Sequence, residues 1–148
     1  MKLLFENWRH YILEDMDSEQ IRKVILIDDK DRLLILKSAD SNKKHANEWD
    51  LPGGHIHKGE DEIVGLEREV KEETTLDIAS PEEISQEGHI KFYKTRQYRG
   101  TIELSEEHTE YKWVTVEELD SYVIGAKFVR AAKVAFKTDD ESEKNNNI

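Results

Sequence analysis

The chain has 148 residues, a formal net charge of −11 and no cysteine. This length predicts one compact domain, the charge argues against non-specific nucleic-acid binding, which rests on Lys and Arg at phosphates, and the missing cysteines exclude disulfides, thiolate catalysis and Cys-based zinc sites. An anionic substrate would be repelled unless a divalent cation held by carboxylates offset the charge locally.

Near the N-terminus, Leu4, Trp8, Tyr11 and Ile12 recur at helical spacing, so residues 1–20 read as a short amphipathic helix or, alternatively, an edge strand. The apolar patch Leu3-Leu4-Phe5 is broken by Glu6. It is too short for a signal peptide, and no apolar run reaches membrane-spanning length. A soluble cytoplasmic protein with no membrane partner is the expectation. Residues 22–37 read as a β-hairpin, with VILI at 24–27, a polar turn at 28–31 and LLIL at 33–36. A polar loop follows over 38–48, and 49–51 are extended because Pro52 disfavours helix before it.

Gly53-Gly54 break the chain, and a helix begins near Asp61 or Glu62, where acids complement its dipole. It ends near Thr74. Residues 76–80 form a short strand or loop, and Ser80-Pro81 opens a turn. Residues 88–96 alternate like a strand. Arg99-Gly100 is a tight turn, followed by strands at 101–104 and 110–114. Thr115 and Glu118 make a capping-box pattern for a helix over 116–123. Gly125 interrupts, a last helix covers 127–136, and 138–148 have the composition of a disordered tail. The expectation is one domain over 1–137, α+β or mixed-sheet α/β, with helices packed on a sheet.

The stretch 51–78 carries the chemistry. On an ideal helix with Ile63 at zero, Leu66 and Val70 fall at roughly 300° and 340°, an apolar stripe. Glu72, Glu69 and Glu73 fall at roughly 180°, 240° and 280°, crowded beside that stripe. Like charges at this spacing cost a few tenths of a kcal/mol per pair when exposed. A divalent metal would convert the repulsion into coordination, and Mg2+ and Mn2+ prefer oxygen ligands. Gly65 lies between Glu72 and Glu69. It either leaves space for a metal or substrate oxygen or lets a neighbouring loop pack closely.

The bland reading of such a cluster is a solvated acidic face. The longer pattern overturns it. Gly54, Glu60, Arg68-Glu69-Val70, Glu72-Glu73 and Leu76 occupy eight of the nine specified positions of a G-x5-E-x7-R-E-U-x-E-E-x-G-U motif, U being aliphatic. A match this complete arises by chance in roughly one window in ten million. The pattern resembles the box of the Nudix (MutT-like) hydrolase family. Trp49, Leu51-Pro52-Gly53 and 110–114 (EYKWV) resemble its flanks.

The resemblance implies a mixed-sheet α/β/α sandwich with the box as loop–helix–loop. It implies hydrolysis of a nucleoside diphosphate linked to another moiety, with Mg2+ or Mn2+, so the partner is a nucleotide-type small molecule; a homodimer is left open. Carried over by motif position, Glu69, Glu72 and Glu73 are metal ligands, joined by the backbone carbonyl of Gly53. Glu60 pairs with Arg68 and braces the loop that Gly54 opens. Glu69 is the in-box candidate for the base, and Glu110 an outside candidate for metal or base, or else an exposed strand residue.

The mismatch is Thr75 for glycine. A β-branched residue takes positive φ poorly, so either the helix end differs or Thr75 is strained. His55 and His57 are solvated loop residues or substrate contacts. Tyr93 occupies a place near which some diadenosine polyphosphate hydrolases of the family have a tyrosine, but tyrosine is also an ordinary strand residue. A binding module that senses a nucleotide without hydrolysing it is the competing class.

Overall fold

The computed structural model describes the backbone of residues 20–41 and 45–146, and side chains as far as residue 137. The helix or edge strand expected before them lies outside the described residues. In chain order come β1 (Ile21–Leu26), β2 (Leu33–Ser38), β3 (Trp49–Asp50), β4 (Gly53–His55), α1 (Glu62–Thr74), β5 (Asp77–Ala79), β6 (Glu82–Glu87), β7 (Ile90–Thr95), β8 (Gln97–Arg99) and β9 (His108–Val114). A 3-10 turn, Glu117–Ser121, and α2, Ala126–Asn146, complete the fold.

β1 and β2 do not pair as the two arms of one hairpin. After a turn in which Asp28 accepts the amides of Lys30 and Arg32, one bridge joins Ile27 to Leu33. The strands then part. β1 enters a mixed sheet of order β4-β1-β7-β6, parallel to β7, while β2 enters an antiparallel sheet of order β3-β2-β9. Both runs are apolar at nearly every position, and a two-stranded ribbon cannot bury two faces on each strand.

Alternation then sorts the core, because successive side chains point to opposite faces. Val24, Leu26, Leu34 and Leu36 pack with Leu66 and Val70 of α1. Ile25, Ile27, Leu33 and Ile35 pack with Ala131, Ala132 and Ala135 of α2. The helices therefore cover opposite sides of a mixed-sheet α/β sandwich. No helix among the described residues is long and apolar enough to cross a membrane.

α1 starts where acidic residues signalled. The Asp61 side chain accepts the amides of Ile63 and Val64, an N-cap that satisfies two otherwise open donors. Glu62 accepts Arg22, Lys91 and the Tyr93 hydroxyl, pinning the first turn to β1 and β7.

Three local expectations are corrected, and one strand, β6, is added. Gly53-Gly54 do not break the chain; they form β4, and a Cβ on Gly53 (φ 126°) would lie 2.1 Å from the Arg22 carbonyl oxygen. Glycine permits the close pairing with β1. β6 carried no signal because it is a polar edge strand, largely exposed. Residues 101–104 alternate like a strand, yet they form none. Their neighbourhood is tied to the end of α1 instead: the Glu103 amide donates to Thr74 O at 2.9 Å and the Ser105 amide to Glu73 O at 3.2 Å. Finally, α2 runs on to Asn146, through the stretch expected as a tail. Once the alanine stripe is packed, extension needs only propagation, and Glu141, Glu143 and Lys144 are sound helix formers.

The helix expected over 116–123 is the shorter 3-10 turn. Its Thr115–Glu118 capping box is present: the Glu118 amide donates to the Thr115 hydroxyl and the Thr115 amide to the Glu118 carboxylate, both at 3.3 Å.

Thr75 ends α1 in the left-handed region itself, at φ 65° and ψ 5°. The helix exit thus has the geometry a glycine would adopt, with a β-branched residue in it. The Thr75 hydroxyl donates to Thr101 O at 2.5 Å. Left-handed backbone costs an L-residue about 1–2 kcal/mol, and such a hydrogen bond returns about 0.5–1.5 kcal/mol. Thr75→Gly removes both, so its stability, read from the urea midpoint, should change by less than about 1 kcal/mol. A loss well above that would show that the Thr75–Thr101 link holds the turn.

Candidate active site

The box residues meet where the end of α1 passes β4. Glu73 is 4% exposed. Its Oε1 accepts the Gly53 amide at 2.9 Å, and its Oε2 lies 3.5 Å from His108 Nε2, both side chains being buried. Burial pushes the Glu73 carboxyl up to about 8, against the opposing pull of Lys23 and the Gly53 amide. Burial also raises Glu69. A Cβ on Gly54 would stand 2.6 Å from Glu69 Oε2, so the glycine is what lets that carboxylate lie over the strand.

Glu72 is different. It is over half exposed, and both its oxygens accept Arg68 at 3.1 Å. Arg68 also makes a two-pronged contact with Glu60, Nε to Oε2 at 2.9 Å and a second nitrogen to Oε1 at 3.1 Å, and donates to His55 O. The hydrogen bonds from Arg68, and one from the His57 amide, hold the Glu60 carboxyl down at about 2. Gly65 faces this loop: a Cβ there would meet Ile56 at 2.7 Å and Glu60 at 2.9 Å. Of the two readings of Gly65, close packing of the loop is the one observed.

A cavity of about 610 Å³ opens beside these groups, with Glu69, Glu73, Glu107, His108, Lys23 and Asp50 among its walls. An adjoining acidic groove takes in Glu69, Glu72, Glu73 and Glu107. His55 lines the cavity; His57 does not, although it is exposed. Tyr93 is 2% exposed and its hydroxyl is engaged by Glu62. Glu110 lines neither opening; its half-exposed side chain lies 4.0 Å from Lys112.

Glu107 stands in its place. The strap onto the end of α1 carries residues 103–107 over Glu73, and ligand atoms of Glu73, Glu107 and His108 lie within 4.8 Å of one another. The acids of SEEH (105–108) were visible in the sequence, but only the strap brings one to the cavity. Lys23 was also readable, as a lysine inside an apolar strand. Its Nζ donates to Asp50 Oδ2 at 3.1 Å, Leu51 O at 3.1 Å and Gly53 O at 3.2 Å. Burial works against that ammonium, but Asp50, Glu73 and Glu69 outweigh it and raise its pKa.

The donor set fits a divalent cation. Two carboxyls, the buried Glu73 and the partly buried Glu69, are held above their usual range and would be relieved by positive charge. Burial lowers the pKa of His108, and its buried Nδ1 has no partner among the described residues.

Comparison with known proteins agrees with this geometry. The family model described as NUDIX domain matches residues 19–134. The asymmetrical bis(5'-nucleosyl)-tetraphosphatase of Mus musculus is 26% identical over 125 residues, covering 75% of this chain and 76% of that protein. Among solved structures, a MutT protein from Methanosarcina mazei Go1 is 25% identical with a TM-score of 0.68, covering 84% of this chain and 97% of its own. A C. elegans Ap4A hydrolase binary complex, 23% identical, shares the fold with a TM-score of 0.63 over 82% of this chain and 98% of its own. With that family model spanning most of its length, the chain belongs to the NUDIX domain family and is a pyrophosphohydrolase.

Proposed function

We propose that the chain hydrolyses a diphosphate linkage in a nucleoside diphosphate derivative, using Mg2+ or Mn2+, by attack of water at phosphorus. The observation that carries this reading is the convergence of Glu69, Glu73 and Glu107 on one cavity beside the Gly53–Gly54 strand. Glu69, Glu73 and Glu107, with Glu72 at the groove and the Gly53 carbonyl, would hold the metal. When bound, it would neutralise the diphosphate and acidify the attacking water.

The chain's own residues divide the remaining work. Glu69 is the base: it faces both openings, beside the groups that would hold the metal and so within reach of a water there. Glu73 is held by the Gly53 amide, so its carboxylate needs no reorientation. His55 is a candidate contact for the group attached to the diphosphate. Glu60 and Arg68 brace the loop and do no chemistry.

The substrate class comprises nucleoside triphosphates, dinucleoside polyphosphates and nucleotide sugars. Diadenosine tetraphosphate comes first in a panel, because the mouse relative is named for bis(5'-nucleosyl) tetraphosphate cleavage. Product release from the panel should require Mg2+ or Mn2+. Nucleotide binding with no turnover by any member would instead identify a sensing module.

Glu69→Gln should lower kcat by about 100-fold or more; full turnover in that variant eliminates Glu69 as base. Gly54→Ala should also cost about 100-fold, by displacing the Glu69 carboxylate, while the urea midpoint stays close to wild type. Unchanged kcat there would mean the position of Glu69 is not critical.

The brace has its own signature. Because Glu60 titrates at about 2 in the folded chain, below its ordinary 4.5, it contributes stability above pH 4.5 that is lost as pH falls through 2. Glu60→Gln should make the decline of the urea midpoint across that window shallower. Equal slopes in the two proteins would remove the pair from the account of stability.

A further inference from the structure

Lys23 is absorbed neither by the box nor by the core. It lies 7% exposed, opposite Gly53 in the β1–β4 pairing, and it walls the same cavity as Glu69 and Glu73. An ammonium has three protons to donate, and Lys23 places all of its recorded bonds on oxygens: one carboxylate and two backbone carbonyls, at 3.1–3.2 Å. Those acceptors come from residues 50–53, one short stretch. Pro52 O takes the Val24 amide at 2.9 Å, so the stretch is pinned to β1.

Asp50 Oδ2, Leu51 O and Gly53 O make the kind of all-oxygen cage that binds hard divalent ions. Here a cation already sits in it, covalently attached to the chain. One of its oxygens, the Gly53 carbonyl, is also the one proposed to face the metal; a carbonyl has two lone pairs and can serve both. Asp50, Glu69, Glu73 and Glu107 place four carboxylates around the cavity. A permanent positive charge at its wall offsets part of that load whether or not divalent ions are present.

We propose that the Lys23 ammonium is a tethered cation of the active site: it fills the Asp50–Leu51–Gly53 cage and thereby keeps one further divalent ion out. The inference rests on the metal-dependent reading above. It makes Lys23 a positioning residue, which sets the Gly53 carbonyl and limits how many ions the cavity takes. A purely structural ion pair would leave ion binding unchanged when the ammonium is removed.

The test counts Mn2+ ions on the full chain without nucleotide, by the electron paramagnetic resonance signal of free Mn2+. Lys23→Met keeps the stem and removes the charge. It should bind one more Mn2+ per chain than wild type, and Lys23→Met/Asp50→Asn should lose that extra ion. The same nonzero number in wild type and Lys23→Met overturns the inference and leaves the hydrolase reading intact. No Mn2+ on either protein, with no turnover by wild type, overturns both.

A second measurement uses the wild type, so folding of the variant does not matter. In 15N NMR, the Lys23 ammonium signal should persist, hydrogen-bonded and slow to exchange, after saturation with Mg2+. Its loss on adding Mg2+ would show that the divalent ion takes the cage, and would overturn the proposal.

Discussion

The buried hydrogen bond between the Gly53 amide and the Glu73 carboxylate is the hinge of this molecule. It spans twenty residues and joins the two halves of the box, strand and helix, at the point where chemistry is needed. A buried carboxylate without such a donor is strongly disfavoured. With it, the last turn of α1 has one place to sit. Glu69 then falls over Gly54, where only the absence of a Cβ makes room. The same turn exposes its final carbonyls, and the amides of Glu103 and Ser105 take two of them. Satisfying a helix terminus thus brings Glu107, from thirty-four residues beyond Glu73, to the edge of the cavity.

Charge is arranged with the same economy. The protein carries an excess of eleven negative charges, and its site concentrates carboxylates further. Two cations moderate this from within the chain. Arg68 engages Glu60, Glu69 and Glu72 from the loop side. Lys23 engages Asp50 and two carbonyls from the strand side. Neither reaches into the space between Glu73, Glu107 and His108 as a bonded partner, and there the carboxyl of Glu73 is held well above its usual range. The chain's own cations thus lie at the walls of the site rather than at its centre.

Much of this was legible in the residues. The acids of α1 share an edge because their spacing matches a helix, and a helix places its side chains by local rules. The N-cap at Asp61 and the capping box at Thr115 followed from the same local logic. Gly65 was readable as a glycine with a purpose, but not which: only the packed loop, with Ile56 and Glu60 at the would-be Cβ, decides between the two. Thr75 shows the opposite failure. Residue preference argues against a β-branched left-handed exit, and the surrounding strap imposes it.

By itself, the sequence determined the family box, the amphipathic α1 that carries it and the apolar runs of the core, because each depends on neighbours a few positions apart. Tertiary structure alone decided that β1 and β2 part into different sheets, that Glu107 rather than Glu110 walls the cavity, and that Lys23 sits in a cage of oxygens. Those outcomes depend on long-range backbone hydrogen bonds and on strands buried on both faces. Neither leaves a periodic trace in the chain that makes them.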